Sequence, residues 1–106
     1  MQGTRVALEG DALLGFTMVK GDEIYQMYVG SAARGKGVAQ LLMHDGEAVI
    51  KAAGHATAWL ACAIGNERAA RFYTKQGWTM VREEIVELDT LDAPFPLKLW
   101  RFEKQL

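Results

Sequence analysis

The stretch Arg34-Gly35-Lys36-Gly37-Val38-Ala39 lies between a β-like run, Ile24 to Val29, and a run whose apolar residues recur at helical spacing. A turn there leaves several backbone N–H groups without partners, and its composition suits an anion. Glycine permits positive φ and close ligand approach, the following helix offers the positive end of its dipole, and Arg34 and Lys36 add charge. Each amide-to-phosphate bond is charge-assisted and worth about 1.5–3 kcal/mol, against about 0.3–1 kcal/mol for the helix dipole. The oriented amides of residues 34–39 therefore dominate, and the charges of Arg34 and Lys36 are secondary. Gly35-Lys36-Gly37 lacks both the Walker spacing and the third glycine of the dinucleotide fingerprint, which sets ATP and NAD aside.

Upstream, three β-type runs between Arg5 and Val29 are separated twice by the same punctuation, Gly10-Asp11 and Gly21-Asp22, which predicts two tight hairpins and an antiparallel meander. Downstream, Val38, Leu41, Leu42, Val49 and Ala52 predict the apolar face of a helix, with His44, Glu47 and Lys51 on the wet face and Gly54 closing it. Thr57 to Ile64 reads as the next strand, parallel to the run before the glycine turn and reached by a right-handed crossover. A second helix from about Glu67 to Gln76 ends at Gly77. Strand runs follow at Trp78–Leu88 and Leu97–Phe102, and Asp92-Ala93-Pro94-Phe95-Pro96 between them reads as a loop. The expected fold class is α/β (α+β), a mixed, mainly antiparallel sheet with a central β-α-β unit.

The chain has 106 residues, half of them hydrophobic, enough for one core and one domain spanning residues 1–106. A net charge of −1, with both signs spread along the chain, offers no basic stripe to draw nucleic acid. Residues 1–20 carry Glu9, Asp11 and several glycines in place of a basic start and an apolar block, and Ala56–Ile64 is too short to span a bilayer. Gly3 is not where myristoylation needs it. The single cysteine, Cys62, excludes an internal disulfide, so a cytoplasmic location away from membranes is expected. His44 and His55 stand apart without paired cysteines, and no metal is expected. Trp59, Trp78 and Trp100 fit strand packing, and Cys62 fits a small core residue.

A second spaced pattern, Asn66, Ala69, Tyr73, Gly77 and Trp78, accompanies the glycine turn. Together the two resemble the signature motifs of the GCN5-related N-acetyltransferases, the GNAT superfamily. The first is similar to that family's Gln/Arg-x-x-Gly-x-Gly/Ala pyrophosphate loop, carried here by Arg34, Gly37 and Ala39. The second is similar to Asn-x-x-Ala-x-x-x-Tyr-x-x-x-Gly-Phe, with Trp78 in place of the phenylalanine. The resemblance runs from about Leu13 to Leu88 and implies a GNAT-like sheet with helices on both faces. Family members usually begin with a further strand and two helices that help form the acceptor site, and nothing before Arg5 supplies them, so an N-terminally truncated fold is expected.

The resemblance implies acetyl-CoA as co-substrate, without a metal, and direct transfer of its acetyl group to an amine of a small molecule or peptide. The cofactor-binding residues implied are Met27, Tyr28, Val29, Arg34, Gly35, Lys36, Gly37, Val38, Ala39, Asn66 and Tyr73. Backbone amides of Met27, Tyr28 and Val29 would pair with pantetheine on a strand that splays from strand 57–64, and Asn66 would reach the same arm. Tyr73 is the catalytic candidate: a phenol of pKa about 10 is protonated at neutral pH and can serve the departing thiolate. Packing beside Phe72 is its structural alternative. The general base is open. Supplying the neutral form of a lysine-like amine at pH 7 costs about 4.6 kcal/mol, and Glu23, Glu83, Glu84 and Glu87 are the carboxylates within reach of the expected cleft, each also readable as a surface charge. The alternatives to an enzyme are a non-catalytic acyl-CoA-binding module and a plain structural domain. A homodimer is expected, because the strand Arg5–Glu9 would stand as an open edge.

Overall fold

The structure, a computed structural model, describes residues 2–31, 37–88 and 95–106. The fold is mixed α+β, with six strands and two helices among the described residues: β1 (Gln2–Glu9), β2 (Ala12–Lys20), β3 (Glu23–Val29), α1 (Val38–Ala52), β4 (Thr57–Ala63), α2 (Glu67–Lys75), β5 (Thr79–Leu88) and β6 (Phe95–Gln105). Two compact units divide the chain. The first runs to Trp59 and takes in Gln105 and Leu106, and the second is Leu60–Lys104. Strands follow the order β1-β2-β3-β4 in the first and β4-β6-β5 in the second. No helix among the described residues is long and apolar enough to cross a membrane.

In the first unit both predicted hairpins form. Glu9 faces Ala12 and Lys20 faces Glu23, so each turn holds two residues and β1-β2-β3 is an antiparallel meander. β3 then pairs with β4 in parallel, with Glu23 opposite Trp59. Trp59 secures this corner: its indole Nε1 donates to Asp22 Oδ1 at 3.0 Å, and its backbone N–H to Asp22 O at 3.0 Å.

Helix α1 lies on the face of the meander that carries Gly15, Thr17 and Val19. Its buried stripe is Val38, Leu42, Met43, Gly46 and Ile50, which corrects the sequence reading: Leu41 and Ala52 are exposed. The stripe turns toward Gly46 because the helix comes so near the sheet there that a Cβ would meet Ile24 Cδ1 at 2.7 Å and Thr17 Cγ2 at 2.9 Å. Sequence periodicity counts a glycine as neutral, yet here it is the point of closest packing. Thr17 is fully buried, and its Oγ1 has no hydrogen-bond partner among the described residues. A hydroxyl in that state costs about 1–3 kcal/mol, so Thr17→Val, which keeps the shape, is expected to raise unfolding stability by about 1 kcal/mol in urea titration.

The second unit is built on the antiparallel β5–β6 ladder, from Thr79 opposite Glu103 to Leu88 opposite Phe95. Its core holds Leu60, Cys62, Trp78, Leu99 and Phe102. Strand β6 starts at Phe95, two residues before the sequence reading, so Phe95 and Pro96 belong to the strand and not to the loop. Pro96 faces Glu87 next to the ladder's end, where a missing N–H is tolerated. On this ladder Glu83 pairs with Lys98 (3.0 Å), and Glu84 with Arg101 (3.3 Å) and Arg82 (3.7 Å).

Candidate functional site

One group of candidate residues belongs to the first unit and lies in the passage from β3 into α1. Met27 and Val29 turn their side chains inward, against a cluster of Val38 and Leu42 that also takes in Ala7 and Leu14. Val38, 7% exposed, is thus an anchor of the helix, and what it can offer a ligand is its backbone N–H. Tyr28 points the other way and is about half exposed, its ring 5.7 Å from that of Phe16. The residues from Met27 to Val29 pair on the β2 side, opposite Thr17, Phe16 and Gly15. Toward β4 the register among the described residues is the single pair Glu23–Trp59, at the start of β3.

Gly37 opens α1 as its N-cap, with φ 75° and ψ 10° in the left-handed region. There an L side chain is strained, and a Cβ at this position would meet nothing within 4 Å. The first intrahelical bond is Leu41 N–H to Gly37 O, at 3.1 Å. Among the described residues no side chain caps this end, and the first turn holds no acidic residue. The N–H groups at the front of a helix, here beginning with those of Val38 and Ala39, have no intrahelical acceptor, so this end suits an anion. Arg34, Gly35 and Lys36 lie outside the described residues.

Another group, described by itself, is carried by α2 and its neighbours in the second unit. Asn66 is the N-cap of this helix, its Oδ1 accepting the Ala69 N–H at 3.3 Å. The Asn-x-x-Ala spacing is therefore a helix start, a signal readable from an asparagine three residues ahead of the amide it caps. Tyr73, half-buried two turns on, packs edge-on against Phe102 (5.5 Å, 62°) and Phe72 (5.8 Å, 66°). Burial pushes its phenol above the ordinary value, and Cys62 pushes it further the same way. The thiol of Cys62, itself raised by burial, lies 3.7 Å from Ala63 O and 3.9 Å from Asn66 O. Cys62 thus sits beside both Asn66 and Tyr73, which its place in an apolar strand did not signal; Phe102 as ring partner is set by the β6 register and was equally unsignalled.

The remaining part of the motif is the exit of α2. Gly77 N–H donates to Thr74 O (3.1 Å) and Trp78 N–H to Tyr73 O (3.0 Å), with Gly77 at φ 92°. This is the Schellman ending, which needs a left-handed residue just past the helix and an apolar one after it. Trp78, 2% exposed, fills the second role. Lys104 Nζ donates to Gln76 O at 2.7 Å and closes the same end. The spacing Tyr73, Gly77, Trp78 accordingly fixes the backbone that carries Tyr73. Of the carboxylates considered as bases, Glu83 and Glu84 are held in ion pairs and Glu87 is exposed.

A family model described as Acetyltransferase (GNAT) family matches residues 2–78. A comparison with curated proteins returns no match. Among solved structures, a GCN5-related N-acetyltransferase from Rhodopseudomonas palustris superposes with TM-score 0.80 at 24% identity, covering 99% of this chain and 62% of that one. A Bacillus subtilis acetyltransferase in complex with CoA gives TM-score 0.80 at 17% identity, covering 99% and 77%. A GNAT family acetyltransferase from Elizabethkingia anophelis with acetyl-CoA bound gives 0.78 at 11%, covering 99% and 76%. The chain thus spans less than two thirds of the length of the R. palustris protein.

Proposed function

Because this chain belongs to the GNAT acetyltransferase family, we propose that it transfers the acetyl group of acetyl-CoA to an amine of a small molecule or peptide. The observation that carries the reading is the front of α1, where a left-handed Gly37 precedes a first turn that has no acidic residue and, among the described residues, no side-chain cap. Such an end fits a pyrophosphate, with Arg34 and Lys36 as nearby charge. The solved neighbours with CoA or acetyl-CoA bound support the same co-substrate.

Acetyl-CoA supplies a thioester, whose acetyl carbon bonds to the amine nitrogen as the carbon–sulfur bond breaks and the nitrogen gives up its proton. The chain's own residues do the rest. The front of α1 binds the phosphates, and the edge of β3 from Met27 to Val29 orients the pantetheine amides by strand-like hydrogen bonds. Tyr73 holds a proton at its phenol oxygen and donates it to the departing sulfur, to be reprotonated from water.

The test is calorimetric titration with CoA, then thiol release from acetyl-CoA over a panel of amines. Binding together with release for at least one amine is the expected result. Binding without release would assign a non-catalytic acyl-CoA-binding module, and a chain that binds no CoA would overturn both readings.

A further inference from the structure

Helix α2 carries Arg68, Arg71 and Lys75 at spacings of three and four residues, which sets them in one stripe along its side. All three are exposed. The other cations of the second unit have partners: Arg82 and Arg101 pair with Glu84, Arg101 also with Glu103, Lys98 with Glu83, and Lys104 Nζ donates to Gln76 O. Among the described residues Arg68, Arg71 and Lys75 have no ion-pair partner, not even Glu67, one turn from Arg71. Beside the stripe runs a groove of about 480 Å³, lined by Glu67, Ala70, Arg71, Thr74 and Lys75. Thr74 Oγ1 already donates to Ala70 O at 2.9 Å, so Arg71 and Lys75 are the side-chain donors that remain to the groove.

We infer that this face of α2 docks an acidic peptide segment whose carboxylates stand one helical turn apart. Along the helix axis Arg68, Arg71 and Lys75 follow one another at about 4.5 and 6 Å. A row of carboxylates three or four residues apart on a helical segment has the same spacing, whereas a single phosphate is too compact to meet all three cations. The groove's volume points the same way, since it falls in the range of about 300–1,000 Å³ that holds ligands much larger than one anion. The aliphatic stems of Arg71 and Lys75, with the Ala70 methyl, give an apolar side chain of the segment a place to lie, and the charged heads take its carboxylates. Glu67 sets the direction: it repels a carboxylate at the groove's N-terminal end, so the more acidic end of the segment lies toward Lys75. The inference does not depend on acetyl transfer.

Fluorescence anisotropy tests it, using a labelled synthetic helical peptide that bears leucines and glutamates one turn apart, and the same peptide with glutamine in place of glutamate. The glutamate peptide should bind the full chain at least about tenfold more tightly than the glutamine peptide, and added salt should narrow the gap. Arg71→Glu and Lys75→Glu should each weaken the glutamate peptide at least about tenfold, with circular dichroism to verify that each variant is folded. The milder pair, Arg71→Gln with Lys75→Gln, should lose binding in the same way without placing like charges on the helix. Lys51→Glu, at an exposed position of α1, is the control and should leave binding unchanged. Equal binding of the two peptides overturns the proposal, and so do α2 variants no weaker than Lys51→Glu. Displacement of the peptide by inorganic phosphate, beyond that by chloride of equal ionic strength, also overturns it and gives the cations to a small anion.

Discussion

Tyr73→Phe should lower kcat for acetyl transfer about a hundredfold, about 2.7 kcal/mol in barrier, while CoA affinity and stability stay nearly unchanged. The substitution removes one oxygen. The ring keeps its edge contacts with Phe72 and Phe102, and the helix exit that carries it is fixed through Gly77 and Trp78. A positioned general acid contributes about 10²–10⁴-fold, and the lower end applies because a thiol of pKa about 8.5 leaves more readily than an amine or alkoxide. The pH profile should agree. Burial and Cys62 raise the phenol's pKa in the folded state, so Tyr73 stays protonated past the ordinary phenol value of about 10, and the alkaline limb it governs should lie above that pH. The same shift gives a stability term present below the unfolded-state value and lost as pH rises through the folded one. Steady-state kinetics of the pure variant decide the matter: a kcat equal to that of the unaltered chain would make Tyr73 a packing residue, with water serving the thiolate.

Gly15→Ala should cost about 3 kcal/mol in unfolding free energy, the upper part of the range for overpacking. A Cβ there would collide with Tyr28 O and would lie 3.2 Å from Val29 Cα and 3.0 Å from Leu42 Cδ1. Two of these are backbone atoms, which can move only by shifting β3 in the stretch proposed to orient pantetheine. Loss of stability in urea should therefore come with weaker CoA binding. Gly3→Ala is the control: its Cβ makes an ordinary contact at 3.7 Å with Val49, so stability should stay within about 0.5 kcal/mol. An unfolding midpoint for Gly15→Ala matching that of Gly3→Ala would contradict the account.

The same close approaches explain what could be read from sequence and what could not. Turns were legible because their chemistry is local: Gly10-Asp11 and Gly21-Asp22 give the two hairpins, and the glycines that follow each helix mark where it ends. The face of α1 was misread because its deepest contact uses Gly46, which carries no apolar signal, while Leu41 is apolar and wet. Pro96 was read by residue type as a breaker, but its position next to the end of the ladder makes it harmless. Tyr73 and Asn66 were singled out by spacing, and packing beside Phe72 was the alternative considered for Tyr73, but the capping of α2 by Asn66 was not read from the sequence. The neighbours that shape Tyr73, Cys62 on β4 and Phe102 on β6, are distant in sequence, and no periodicity connects them.

The division of the first unit between the two ends of the chain also bears on synthesis. Its meander closes through two-residue turns, whereas β3 reaches β4 only through the whole of α1, and closing the longer loop costs about 2 kcal/mol more in chain entropy. As the chain leaves the ribosome, β1, β2 and β3 can pair before Thr57 has been made. Yet Leu106 N–H donates to Ala56 O at 2.9 Å, and Thr57 Oγ1 donates to Gln105 Oε1 at 3.2 Å, so the same unit awaits residues translated only after the whole of the second unit. The unit that begins to fold first is completed only after the one that interrupts it has been made.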